Sequence, residues 1–281
     1  MAQALSAASE PRMTLADTEE TVNALYYGEQ GTGKTLALAT LGLLGRVVFV
    51  NAEGGLKRRP LTQLGVPLEN IELQPCTSYQ QMEALYWDVR RRIETKSVEA
   101  PIGVCFDSIT EVTKVVTERQ VAVRVHRKQQ EADALMITPK EADINPFRIH
   151  LDDYGVMTEQ LRHLTRLYRD LPCHFLLSAL SRRDVDASGG GETGDAVVYR
   201  PGLTPKFGAD LVGYMDIVIA TKIAANGQYI GVTKPRFGLV GKDRFGALPT
   251  TMVDPQIHRI LQVLGDEVSA EEVAYAPPAQ A

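Results

Sequence analysis

The eight residues Gly28-Glu29-Gln30-Gly31-Thr32-Gly33-Lys34-Thr35 restrict the fold more than any other stretch of this chain. They fit GxxxxGK[ST], a pattern that holds phosphate when a strand leads into it and a helix follows. Both flanks are present: the apolar run 22–27 (VNALYY) precedes it and a helical pattern over 34–44 follows. The glycines let backbone N–H groups approach phosphate oxygens without obstruction by Cβ. Lys34 is expected to reach the β/γ-phosphates and the Thr35 hydroxyl to bind Mg²⁺. All eight positions are assigned to nucleotide binding.

A strand, loop and helix in this order call for a parallel sheet. Short apolar runs recur at 47–50 (VVFV), 102–106 (IGVCF) and 174–178 (HFLLS), each suited to a strand covered on both faces. Helical patterns fill 79–95 and 158–168, where Leu161, Leu164 and Leu167 form one stripe. Trp87 falls on the first of these and is expected in the core. The β-rich runs 212–221 and 228–233 flank Ala225-Asn226-Gly227, a hairpin signal. The expected fold is therefore α/β, a mainly parallel sheet flanked by helices with a C-terminal antiparallel extension. Residues 1–20 read as a mobile leader and 188–194 (SGGGETG) as a flexible loop. Residues 21–264 form one domain. Residues 265–281 carry Asp266, Glu267, Glu271 and Glu272 without Lys or Arg, and are expected to be a disordered acidic tail.

Composition removes several function classes. Thirty basic and thirty-five acidic residues leave a net charge of -5, so nucleic-acid contact needs a local basic patch. The three cysteines, Cys76, Cys105 and Cys173, are too scattered for a disulfide framework or a zinc site, and the five histidines do not cluster. No apolar stretch approaches the ~18 residues of a membrane helix, and the first twenty residues lack a secretory pattern. A cytoplasmic setting is the expectation.

Two carboxylates stand at predicted strand ends. Asp107 follows IGVCF, at the sheet edge beside the phosphate loop, where it could hold Mg²⁺ through water; a helix cap is the plainer alternative. Glu53 follows VVFVNA and could orient and deprotonate an attacking water; the alternative is a solvated Glu before Gly54-Gly55.

Taken together, GEQGTGKT, AEGG and FDSIT resemble the core of RecA-type ATPases, which carry their catalytic Glu and their magnesium Asp-Ser in this order. Lys242-Asp243-Arg244-Phe245-Gly246 resembles the K-x-R-F-G element of RadA-like and DnaB-like relatives. That resemblance implies that Lys242 and Arg244 reach the ATP of a neighbouring subunit. The compact length, DYG at 153–155 and the late KDRFG-x-LP are similar to phage RecA-like ATPases, a group that includes short single-strand annealing and recombination ATPases. The polar sensor that RecA-like recombinases carry after the fourth core strand, often Gln, is represented here only by Ser178 or Ser181.

The resemblance also implies two DNA-gripping loops, at about 112–150 and 181–209. The first holds Lys114, Arg119, Arg124, Arg127 and Lys128 against Glu118; the second holds Arg182, Arg183, Arg200 and Lys206, with Tyr199 and Phe207 as stacking candidates. A solvated helix face or a subunit contact would account for the first loop equally. The reading that results is a Mg²⁺-dependent ATPase with ATP as its nucleotide. It binds single-stranded DNA in phage recombination, annealing or replication. It acts as a homo-oligomer, ring or filament, with a single-strand-binding protein as a candidate partner. A nucleotide-gated assembly scaffold and a helicase-like or helicase-loading motor are the alternatives.

Overall fold

Strand β1 (Asn23–Gly28) is buried at all six positions, because helices cover both faces of the sheet around it. The computed structural model describes residues 20–186, 196–236 and 238–275. After β1 come α1 (Lys34–Ala39), β2 (Val47–Asn51), α2 (Arg58–Gln63), β3 (Ile71–Gln74), α3 (Tyr79–Glu94) and β4 (Gly103–Asp107). Three helices follow, α4 (Ile109–Ala134), α5 (Glu141–Ile144) and α6 (Leu151–Arg169), then β5 (His174–Asp186), β6 (Ala196–Pro201) and α7 (Pro205–Tyr214). The chain continues through β7 (Ile217–Ile223), β8 (Tyr229–Val232), β9 (Lys242–Asp243), β10 (Thr251–Val253), α8 (Ile257–Leu264) and α9 (Ala270–Val273).

The strands order as β10-β8-β7-β1-β5-β4-β2-β3, with β6 added to β5 and β9 to β7. From β7 to β3 every neighbouring pair is parallel; β8, β10, β6 and β9 pair antiparallel. Alternate residues feed separate cores. Leu25, Tyr27, Val48, Val50, Val104 and Phe106 pack beneath α3, α4 and α6, while Ala24, Tyr26, Val47, Phe49 and Cys105 pack beneath α1 and α8. This period of two, buried on both sides, is why the strands read as unbroken apolar runs. The register aligns Gly28 with Leu180 and Thr221, and Asn51 with Asp107, so the chemically interesting strand ends share one edge.

Several expectations need correction. The helix after the phosphate loop is α-helical only to Ala39 and narrows to a 3₁₀ turn over Thr40–Leu43. The run 212–221 is split: its start closes α7, and the strand begins only at Ile217. The hairpin around Asn226-Gly227 forms as expected, joining β7 to β8. Trp87 is not in the core; it is 55% exposed, with the Arg90 guanidinium 5.6 Å from its ring centroid. The acidic tail is packed through Tyr275. Val273 is fully buried, Ala274 bridges Met252, and the Tyr275 N–H donates to the Thr251 carbonyl at 2.9 Å, which covers the β10 edge. The leader 1–19, the loop 188–194 and residues 276–281 lie outside the described residues. Among the described residues, no helix is long and apolar enough to cross a membrane.

Candidate nucleotide site

The loop between β1 and α1 is shaped by its glycines. Gly31 and Gly33 take φ of 77° and 81°, a region that costs glycine nothing and other residues strain. Gly28 is needed for a different reason: a Cβ there would lie 2.3 Å from Thr221 Oγ1 and 2.4 Å from the Thr221 carbonyl oxygen. Thr221, on β7, pins the loop from beneath, its hydroxyl 2.8 Å from that of Thr32. The Lys34 ammonium donates to the carbonyls of Gly28 (3.0 Å) and Glu29 (2.7 Å), at the mouth of the loop. Burial lowers its pKa, and the charges of Glu53 and Asp107 oppose that shift.

The β4 carboxylate lies where the spacing predicts. Asp107 is 1% exposed and accepts hydrogen bonds from Thr35 Oγ1 at 2.8 Å and from the Ser178 hydroxyl. Burial raises its pKa, and those two hydrogen bonds pull it back down. Of the two serines proposed as sensor, Ser178 is the one that reaches the site; Ser181 faces a separate cleft with Glu29 and Gln30. Glu53 follows β2, and its N–H donates to the Asp107 carbonyl at 3.1 Å. Its carboxylate accepts a hydrogen bond from the Ser108 hydroxyl, and Ser108 also caps α4 by accepting from the Glu111 N–H at 3.3 Å. A Cβ on Gly55 would stand 3.8 Å from Thr35 Oγ1 and 3.9 Å from Asp107 Oδ2, so the segment bearing Glu53 lies over both.

These residues fit a nucleotide with Mg²⁺. The donors around Thr35 and Asp107 are all oxygens, as a hard divalent cation requires, and the backbone of 28–35 supplies the phosphate cradle. A cavity of about 330 Å³ opens beside Thr32, Gly33, Leu36 and Ala37 and is closed by Tyr229, Pro255 and Gln256. The Tyr229 ring stands 3.2 Å from where a Gly33 Cβ would be. Sequence reasoning missed both Thr221 and Tyr229, because nothing local links β7 or β8 to a loop almost 200 residues earlier.

The other predicted residues are dispersed. Arg124 is a correction. It is 5% exposed, paired with Asp153 at 2.9 Å, and donates to the carbonyls of Asp143 (2.6 Å) and Arg148, so its guanidinium is buried inside the chain and not presented to DNA. The segment 112–150 is mainly the helix α4 rather than a loop, and Arg127 and Lys128 on its outer side pair with Glu131 at 3.7 and 2.8 Å. Phe207 is fully buried and serves packing. The described residues of the segment 181–209 are likewise mostly regular structure: the end of β5, its antiparallel partner β6 and the start of α7. There Arg182 pairs with Asp184 at 2.7 Å and donates to the Leu203 carbonyl, while Arg183, Arg200 and Lys206 are exposed.

Lys242 and Arg244 both make contacts within their own chain. Lys242 Nζ donates to the carbonyls of Val212 (2.9 Å), Gly213 (3.1 Å) and Met215 (2.6 Å), the open carbonyls at the end of α7. Arg244 pairs with Asp216 at 2.7 Å and also reaches the Gly213 carbonyl. Cations satisfy helix C-termini in this way. Asp216 neighbours Asn23, at the beginning of β1, so within one chain the pair lies toward the sheet edge opposite the phosphate loop. Asp243 closes the turn by accepting from the N–H groups of Phe245, Gly246 and Leu248.

A family model described as an AAA domain matches residues 20–245, a span that includes the phosphate loop, Glu53, Asp107 and the hairpin. No curated protein matches the chain. With most of its length matched and the loop, lysine, threonine and carboxylates assembled at one sheet edge, the chain belongs to the AAA domain family of P-loop ATPases.

Proposed function

We propose that the chain is a Mg²⁺-dependent ATPase that binds single-stranded DNA and works in phage DNA recombination, annealing or replication. In this reading the 28–35 backbone and Lys34 neutralise the phosphates, and the Thr35 hydroxyl and Asp107 carboxylate hold Mg²⁺. Bound there, the ion draws charge from the phosphate oxygens. Glu53, oriented by Ser108, accepts the proton of the attacking water. Tyr229 and the apolar wall of Leu36 and Pro255 receive the base.

The observation that carries the DNA half is the continuity of β5. One strand of thirteen residues supplies Ser178 to Asp107 and then runs on, past the phosphate loop, into a hairpin bearing Arg182, Arg183 and Arg200. A cavity of about 680 Å³ between that hairpin and α7 is lined by Arg182, Arg200 and Thr204. Arg182 and Arg200 are cross-strand partners on one face of the hairpin and Arg183 lies on the other, and such cations on an otherwise acidic chain suit a phosphate backbone. The test is ATP turnover with and without single-stranded DNA, at several salt concentrations. Stimulation by DNA is expected, with affinity falling as salt rises by a log–log slope of about -0.7 per phosphate contact. Glu53→Gln should lower turnover by about 10²–10⁴-fold while nucleotide still binds. Turnover indifferent to DNA, together with no salt-dependent binding, overturns the DNA reading and leaves the ATPase.

A further inference from the structure

Tyr27 immediately precedes the phosphate loop and is wholly buried, yet its hydroxyl serves neither β1 nor the loop. It accepts from the Val240 N–H at 2.7 Å and lies 2.8 Å from the Val240 carbonyl and 3.1 Å from the carbonyl of Tyr199 on β6. A phenol has one hydrogen, so at any moment it serves one of these two carbonyls. The groups around it are tightly held. The Tyr199 N–H donates to the Gly238 carbonyl at 2.7 Å. Gly238 takes φ of 71°, and a Cβ there would meet the Val197 carbonyl oxygen at 2.2 Å. On its other side, the backbone carbonyl of Tyr27 accepts from Thr221 Oγ1 at 3.2 Å, the same hydroxyl that braces Thr32. A single buried side chain thus joins the start of the phosphate loop, the hairpin strand β6 and the segment 238–240.

We propose that Tyr27 is a positioning residue that couples the phosphate loop to the β5–β6 hairpin, so that nucleotide and the hairpin's ligand bind interdependently. Two alternative acceptors on two segments provide the bistable element such coupling needs. A shift of Gly28 on phosphate binding moves the ring, and the proton then favours either the hairpin or the 238–240 segment. The ligand end of the coupling rests on the single-stranded DNA reading above; the internal link does not.

The experiment compares the parent protein with Tyr27→Phe, which keeps the ring and removes only the hydroxyl. The affinity of a fluorescent oligothymidylate is measured with and without a non-hydrolysable ATP analogue, and the readout is the ratio of the two affinities. A ratio is untouched by a uniform loss of either affinity, which is what a merely structural role would produce. The parent should show a ratio of about fivefold or more, and Tyr27→Phe should bring it close to one. A parental ratio in the variant overturns the proposal. If the parent binds no oligothymidylate, the DNA reading fails by itself, and amide hydrogen exchange over 196–201 and 238–241 then reads the link. Nucleotide should change protection there in the parent and not in Tyr27→Phe; no change in the parent overturns the coupling. Should Tyr27→Phe not fold, Gly238→Ala displaces the same segment with the hydroxyl in place, and an unaltered ratio in that variant counts equally against it.

Discussion

Asp107 shows how the site sets single residues against stability. Its carboxylate is buried, and desolvation raises its pKa despite the hydrogen bonds from Thr35 and Ser178. The charged form is therefore disfavoured in the folded chain without metal. Asp107→Asn should abolish Mg²⁺-dependent turnover and yet raise the melting temperature in chelator. The sign follows from linkage: a carboxyl whose folded pKa is raised contributes stability below its unfolded value, about 3.9, and loses it as pH rises through the folded value. The gap between Asn and parent should open as pH rises across that window; a melting curve with the parent more stable near neutrality would refute this account. Asp107 and Glu53 were legible in the sequence, because each ends an apolar run and strand ends of a parallel sheet collect at one edge. The partners that aim them were not. Ser178 and Ser181 look alike in sequence, and only the pleat decides that Ser178 faces Asp107.

At the scale of elements, the basic residues separate by what packs against them. Arg124 lies on the inner face of α4, where Asp153 and two carbonyls hold it. Removing one partner of such a buried pair costs about 3–5 kcal/mol, so Arg124→Ala should unfold early. Arg183→Ala, on the exposed strand, should change stability by less than about 0.5 kcal/mol while lowering the salt slope of DNA binding by about 0.7. The reverse pattern, measured by thermal melts and binding titrations, would return Arg124 to the DNA surface. Lys242 belongs with Arg124: Lys242→Met leaves three carbonyls of the α7 terminus without their cation. A loss of about 1–3 kcal/mol is expected, independent of protein concentration. A well-folded Lys242→Met protein whose lost turnover is rescued by mixing with Lys34→Ala would show Lys242 acting across a subunit boundary, as the resemblance implies.

At the scale of the whole molecule, the C-terminal residues close the sheet. Val273 fills the core under α8, and Tyr275 pairs with the β10 edge. Ending the chain after Leu264 should cost about 1.5–3 kcal/mol for the lost valine burial alone and leave an open edge that promotes association. Thermal melts and light scattering test this; a monomeric, equally stable truncation would show the tail to be dispensable. The tail's acidic composition suggested disorder, and its one buried valine outweighs that composition once a groove exists to receive it. The same distinction runs through the molecule. By itself the sequence determined the strand-loop-helix that cradles phosphate, the apolar strands and the carboxylates at their ends. Those signals are carried by residues within about ten positions of one another, where backbone geometry and the hydrophobic period act directly. Only the tertiary structure decided which charges are already satisfied, where Lys242 and Arg244 point, and that Tyr229 and Thr221 border the phosphate loop. Those outcomes depend on partners 29 residues apart for Arg124 and Asp153 and 189 apart for Thr32 and Thr221. A chain cannot select such partners until packing has excluded water and left each polar group only the neighbours that the fold provides.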